Sequence, residues 1–136
     1  MVLLTLGLCV LLALAAVGVG LGYAEHAAVQ SAVDAAALAC AGQIATVRQV
    51  DARGTVYLET VTVRPSAGLD AATVAWTANM IALPVGLLAF SASAQGATCT
   101  VAVTVRSLIP SLLILKRFAV VWSASAEARS IPASPS

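Results

Sequence analysis

The chain opens on an apolar block and then changes period twice. Residues 1–24 carry no charge, and EHAAVQSAVDAAALACAGQIATVRQ continues the block with apolar positions three and four apart and no proline. This pattern predicts one long helix over residues 1–50, purely apolar over 1–24 and amphipathic over 25–50. Carried unbroken to Arg48, such a helix is about 70 Å long at 1.5 Å per residue. On its second part Ala28, Ala32, Ala35, Ala36 and Ala39 form a small-residue face beside Val29, Val33, Leu38 and Ile44, while Gln30, Ser31 and Asp34 mark the polar side.

Beyond Asp51 the period shortens to two. TVYLETVTVR alternates β-branched and polar residues after an Arg53-Gly54 turn, which predicts a strand over 55–64 closed by Pro65-Ser66-Ala67-Gly68. LDAATVAWTANMIAL returns to helical spacing, with Leu69, Thr73, Trp76 and Met80 on one side and Pro84 as its stop. Strands are then expected over 87–93 and 98–106, joined around Ala94-Gln95-Gly96-Ala97, and over 118–129. In the second of these Cys99, Val101, Val103 and Val105 share one face. SLLILKRF is a short apolar loop or turn, and residues 131–136 are a Pro- and Ser-rich tail. The fold class is therefore α+β: a long N-terminal hydrophobic helix, then a small antiparallel β-sheet domain with one short helix over 51–130.

Composition reinforces the opening block. Of the 136 residues 60% are hydrophobic and 10% charged, and the mean hydropathy is +0.98, well above that of an ordinary soluble domain. The apolar excess must be covered by lipid, by other subunits, or by both. A bilayer core about 30 Å thick takes about 20 helical residues, and residues 1–24 exceed that. A cleavable signal has a shorter apolar core, about 7–15 residues, behind positive charge; here the first cation is Arg48, so the segment reads as a retained helix. Residues 71–90, also uncharged, allow a rival reading as a second span, weakened by Asn79 and Pro84.

Within the helix, Leu3, Leu4, Leu6, Leu8, Leu11, Leu12, Leu14 and Val17 are the apolar residues expected to mediate assembly. Gly18 and Gly22 make a small-xxx-small pair that lets helix backbones approach closely. Glu25 and His26 read as its water-facing boundary, and Asp34 as a solvated carboxylate.

The candidate chemistry is sparse. A formal charge of +1 with dispersed Arg and one Lys gives no footprint for nucleic acid. No catalytic residue, cofactor site or metal ligand set stands out: there is one His, no CxxC, no nucleophile–base pair and no phosphate loop. The chain reads as something other than an enzyme. Cys9 lies in the apolar helix as a small packed side chain. Cys40 and Cys99 are placed either to bridge the helix to the central strand or to pack as buried hydrophobes.

The order of these features resembles the TadE/TadG-like proteins of tight-adherence (Flp) pilus systems, within the type IV pilin-like superfamily. Gln30, Ala32, Asp34, Ala35, Ala36, Ala37, Leu38, Ala39 and Ala41 carry the likeness, which resembles the family's alanine-rich Q-x-A-A-D-A-A-A-L-A-G-A stretch. The helix around Trp76-Thr77-Ala78-Asn79, the Val101/Val103/Val105 strand ahead of Ile109-Pro110, and the closing Ser123-Ala124-Ser125-Ala126 strand are also similar. The resemblance implies a bacterial pilin-like subunit, major or minor. It would be held in the inner membrane before assembly and would pack through its helix with its own copies or other pilins in a surface filament. Where type IV pilins usually carry Glu at the fifth mature position, this sequence, taken from Met1, has Thr5. The other reading is a single-pass membrane accessory of pilus assembly or secretion that does not polymerise.

Overall fold

The structure, a computed structural model, describes residues 2–108 and 121–131. The expected SLLILKRF loop, the first part of the last strand and most of the tail lie outside the described residues. The order is α1 (Val2–Ala41), β1 (Ile44–Val50), β2 (Val56–Val63), α2 (Pro65–Met80), β3 (Val85–Gln95), β4 (Thr98–Ser107) and β5 (Val121–Arg129). This is the expected α+β architecture, with a long apolar helix followed by antiparallel sheets and one short helix.

The helix stops sooner than its pattern suggested. Gly42 and Gln43 donate backbone bonds to the carbonyls of Leu38 and Cys40, closing the last turn at Ala41. Residues 44–50, read from the sequence as the end of the helix, are strand β1, paired antiparallel with β2 from Ile44↔Val63 to Val50↔Val56. The β-branched residues of IATVRQV fit this strand better than a helix, because branching at Cβ restricts the helical rotamer. The hairpin turns on Asp51, whose Oδ1 accepts from the backbone N–H groups of Arg53 and Thr55, and on Gly54 at φ +79°. That left-handed conformation favours glycine.

α2 begins earlier than expected because Pro65 serves as a first-turn residue rather than a loop closer. Its buried face is Gly68, Ala72 and Trp76, with Thr73 exposed. Gly68 is needed there: a Cβ would lie 2.9 Å from Val63 Cγ1 and 3.0 Å from Cys40 Sγ. The rival second span is excluded by this arrangement, since 71–90 is divided between α2 and β3 and contributes Ala72, Trp76 and Val85 to the core.

β3, β4 and β5 form one antiparallel sheet in that order. α1 and α2 pack together, α1 against β4 and β5 and α2 against β3. The core lies between the helices and the sheet, where Val29, Val33, Val101 and Val105 are fully buried. The alternation read in β4 holds, with Cys99, Val101, Val103 and Val105 all turned inward. On the helix side small residues let the layers close: Ala32, Ala36, Ala37 and Cys40 are buried, whereas Leu38, expected beside them, is exposed.

Candidate functional site

α1 runs past the end of the sheet, and its two parts have different surroundings. From Val29 to Ala41 one face is buried in the domain. From residue 5 to residue 21 nothing in the described chain covers it: Leu6, Leu8, Leu11, Leu12, Leu14 and Val17 are each 59–66% exposed. These six are sequence-expected assembly residues, and they surround the helix instead of forming a single stripe. The side chains of Leu3 and Leu4 lie outside the described residues. Thr5–Ala41 is long and apolar enough to cross a membrane, and only 6% of its most apolar stretch is buried. A core helix of that composition would be mostly covered; this stretch is bare.

Cys9, expected to be packed, is an exposed free thiol on the bare half. The glycine pair is split by the fold. A Cβ on Gly18 would meet nothing within 4 Å, whereas one on Gly22 would sit 3.7 Å from Trp122 Cζ2. Gly22 is buried against its own domain and serves that contact, so the pair does not present one continuous small face to a neighbouring helix.

The junction is built around Glu25. Expected at a water-facing boundary, it is instead 5% exposed. Its Oε2 accepts a 2.7 Å hydrogen bond from Ser107 Oγ at the end of β4 and a 3.4 Å bond from Trp122 Nε1 at the start of β5. Oε1 is buried with no hydrogen-bond partner. The His26 ring meets Trp122 edge-on, centroids 5.1 Å apart. The helix brings Gly22, Glu25 and His26 to one side because residues three and four apart share a face. The sheet brings Ser107 and Trp122 together because β4 and β5 are adjacent antiparallel strands. The sequence marked Glu25 as a boundary but gave Ser107 and Trp122 no role; only the strand pairing shows that both reach it.

The opposite end of the contact is fixed covalently. Cys40 and Cys99 form a disulfide, Cα atoms 6.1 Å apart, joining the end of α1 to the start of β4. Ser130 Oγ donates to the Ala41 carbonyl nearby. Between the two ends, Gln30 Nε2 donates to Asp34 Oδ1 and to the Ser125 carbonyl, and Asp34 is exposed as expected.

A shallow groove between α1 and β5 is lined by Asp34, Leu38, Glu127 and Arg129 among others. It brings charged groups together but no nucleophile. Among the described residues no three His, Cys, Asp or Glu side chains converge as metal ligands would. The arrangement is thus an exposed apolar helix locked to a small domain at two points. No protein-family model, curated protein or solved structure matches the chain.

Proposed function

We propose that this protein is a structural subunit, major or minor, of a bacterial tight-adherence or type IV-like pilus. Residues 5–21 hold it in the inner membrane before assembly and pack against other helices, of its own kind or of other pilins, in the core of an extracellular filament. The observation that carries this reading is the bare apolar half of α1. Burying a Leu or Val side chain contributes about 1.5–3 kcal/mol, so six such exposed residues on one short stretch strongly favour a partner. Leucines around the whole circumference suit a bundle, where a helix has neighbours on every side. The sequence resemblance over residues 30–41 supports the pilus assignment.

A second reading, a single-pass membrane accessory of pilus assembly or secretion that does not polymerise, has one observation of its own. Residues 1–24 hold no acidic residue, and Glu25 is taken up by Ser107 and Trp122. The bare half therefore offers no carboxylate to pair with a neighbouring helix end.

Electron microscopy of sheared cell-surface material from cells producing the wild type or Leu11→Asp, with mass spectrometry of the fibres, separates the two. The filament reading expects fibres containing this chain in the wild type and none in the variant, whose domain stays folded. Wild-type protein that remains monomeric in detergent and contributes to no fibre supports the accessory; normal fibres from Leu11→Asp refute the filament mechanism.

A further inference from the structure

We infer that the end of the domain from which the bare helix emerges is itself a membrane-contacting face, seated on the lipid headgroup layer. The inference rests on the reading that residues 5–21 occupy a bilayer before assembly, and it adds a second contact that this reading does not require.

The first reason is the lack of a spacer. Leu21 is still exposed, and the next residue, Gly22, is already packed on Trp122. α1 runs through this point without a break. With the apolar half immersed to Leu21, the sheet end is held within about one helical turn, 5.4 Å, of the hydrocarbon boundary. No polar linker lets the domain stand off.

The second reason is what that end displays. Tyr23 on the helix is 77% exposed, Ile81 after α2 85%, Leu108 after β4 51% and Val121 at the start of β5 45%. Backbone pairing places Leu108 and Val121 with the Glu25 junction: Leu108 N–H donates to the Pro84 carbonyl, Arg106 pairs with Val121, and Ser107 bonds Glu25. Tyr23 lies two residues before Glu25 on α1, and Ile81 three before Pro84. Tyr23 supplies an exposed amphipathic ring of the kind that concentrates at membrane interfaces, with the half-buried Trp122 at the same end. Exposed Arg106 supplies a cation at phosphate level.

Charge is segregated to match. Asp51 and Arg53 occupy the hairpin turn, and Glu127 and Arg129 lie at the far end of β5, beside the start of β4 that carries Cys99. Among the described residues the helix-exit end holds Arg106 and Glu25, and Glu25 is shielded by Ser107 and Trp122. A carboxylate that would otherwise meet lipid is thereby buried in the protein, with Oε2 held by two donors. Before assembly, with residues 5–21 in the bilayer, continuity with the inserted helix makes lipid the occupant of this face.

Quenching in lipid vesicles tests this with the full chain. In phosphatidylcholine–phosphatidylglycerol vesicles, Trp76→Phe leaves Trp122 as the sole tryptophan. A distal reference is Val47→Trp in a Trp76→Phe/Trp122→Phe background, since Val47 lies exposed in the hairpin. Lipids brominated close to the headgroup are expected to quench Trp122 several-fold more than the Val47→Trp reporter. Adding Ile81→Asp and Leu108→Asp should remove most of that difference. Because Trp76 is a core residue, the quenching that wild type loses on Trp122→Phe gives the same reading without altering the core. Cys9, the free thiol on the bare half, reports insertion independently through protection from a membrane-impermeant maleimide. Protected Cys9 with Trp122 quenched no more than the distal reporter overturns the inference while leaving the membrane reading intact. Freely labelled Cys9 removes both. Shielding of Trp122 from acrylamide that follows the protein-to-lipid ratio, rather than the presence of vesicles, assigns the face to a neighbouring copy and also overturns it.

Discussion

The two halves of α1 are equally helical and differ in what covers them, and the sizes of their side chains explain why. Residues 2–21 contain eight leucines; residues 22–41 contain one, Leu38, and nine alanines. The second half packs closely on its own domain through Ala32, Ala36, Ala37 and Gly22, and its single leucine is left outside. The first half has no strand beside it among the described residues and keeps its bulk. Apolarity alone does not distinguish a helix built for its own domain from one built for a partner. Here side-chain size marks the difference: small residues lie in the interface with the domain, large ones on the uncovered half.

The sharpest way to break this comparison is to place the same charge in each half. Val33 is fully buried, so Val33→Asp loses its packing and strands a carboxylate in the core, at an expected cost of about 5 kcal/mol. In detergent the variant should lose the urea unfolding transition followed by Trp76 fluorescence. Leu11→Asp should leave that transition within about 0.5 kcal/mol of wild type. A Val33→Asp chain that unfolds at the wild-type urea concentration means the second half is not core.

Next in size is the disulfide. Its 59-residue separation corresponds to about 4 kcal/mol from restricting the unfolded chain. Cys40→Ala with Cys99→Ala should lower the urea midpoint accordingly. It should leave Leu11-half behaviour, measured as flotation with vesicles, unchanged, because the bare half makes no contact that the bridge maintains. Flotation that falls together with stability argues that the halves are coupled.

Leu11→Asp has its own effect where folding does not register it. A carboxylate near the centre of an inserted helix costs about 3 kcal/mol, enough to shift vesicle partitioning more than about a hundredfold. Unchanged flotation removes lipid as the cover for the bare half.

How much of this was legible follows from the kind of signal each feature leaves. The bare half was readable because an uncharged run of this length has few other uses. β4 was readable because Cys99, Val101, Val103 and Val105 alternate cleanly with polar neighbours. The helix end was misplaced because Ile44, Ala45 and Val47 also satisfy helical spacing; what decides against helix is the pairing of β1 with β2, a nonlocal contact. The junction was half legible. Glu25 stood out at the end of the apolar run, but its burial depends on Ser107 and Trp122, which lie 82 and 97 residues away. Nothing local records so distant an acceptor–donor match, and the same distance hid the splitting of Gly18 from Gly22.

The smallest expected effect concerns that junction, where the two halves meet. Glu25→Ala removes the acceptor for Ser107 Oγ and Trp122 Nε1 from a buried site and should cost about 2 kcal/mol in urea unfolding. Glu25→Gln keeps an oxygen that accepts both bonds, so its cost should stay under about 1 kcal/mol. The pair of variants separates hydrogen bonding from charge. If bonding to the strand ends is what fixes the angle at which the bare half leaves the domain, amide hydrogen exchange over residues 22–29 should quicken in Glu25→Ala and hold at wild-type rates in Glu25→Gln. Equal acceleration in both variants assigns the role to the carboxylate's charge. Wild-type rates in both mean that Gly22–Trp122 packing and the distant disulfide suffice to hold the helix, and that the boundary between the two halves is set by packing alone.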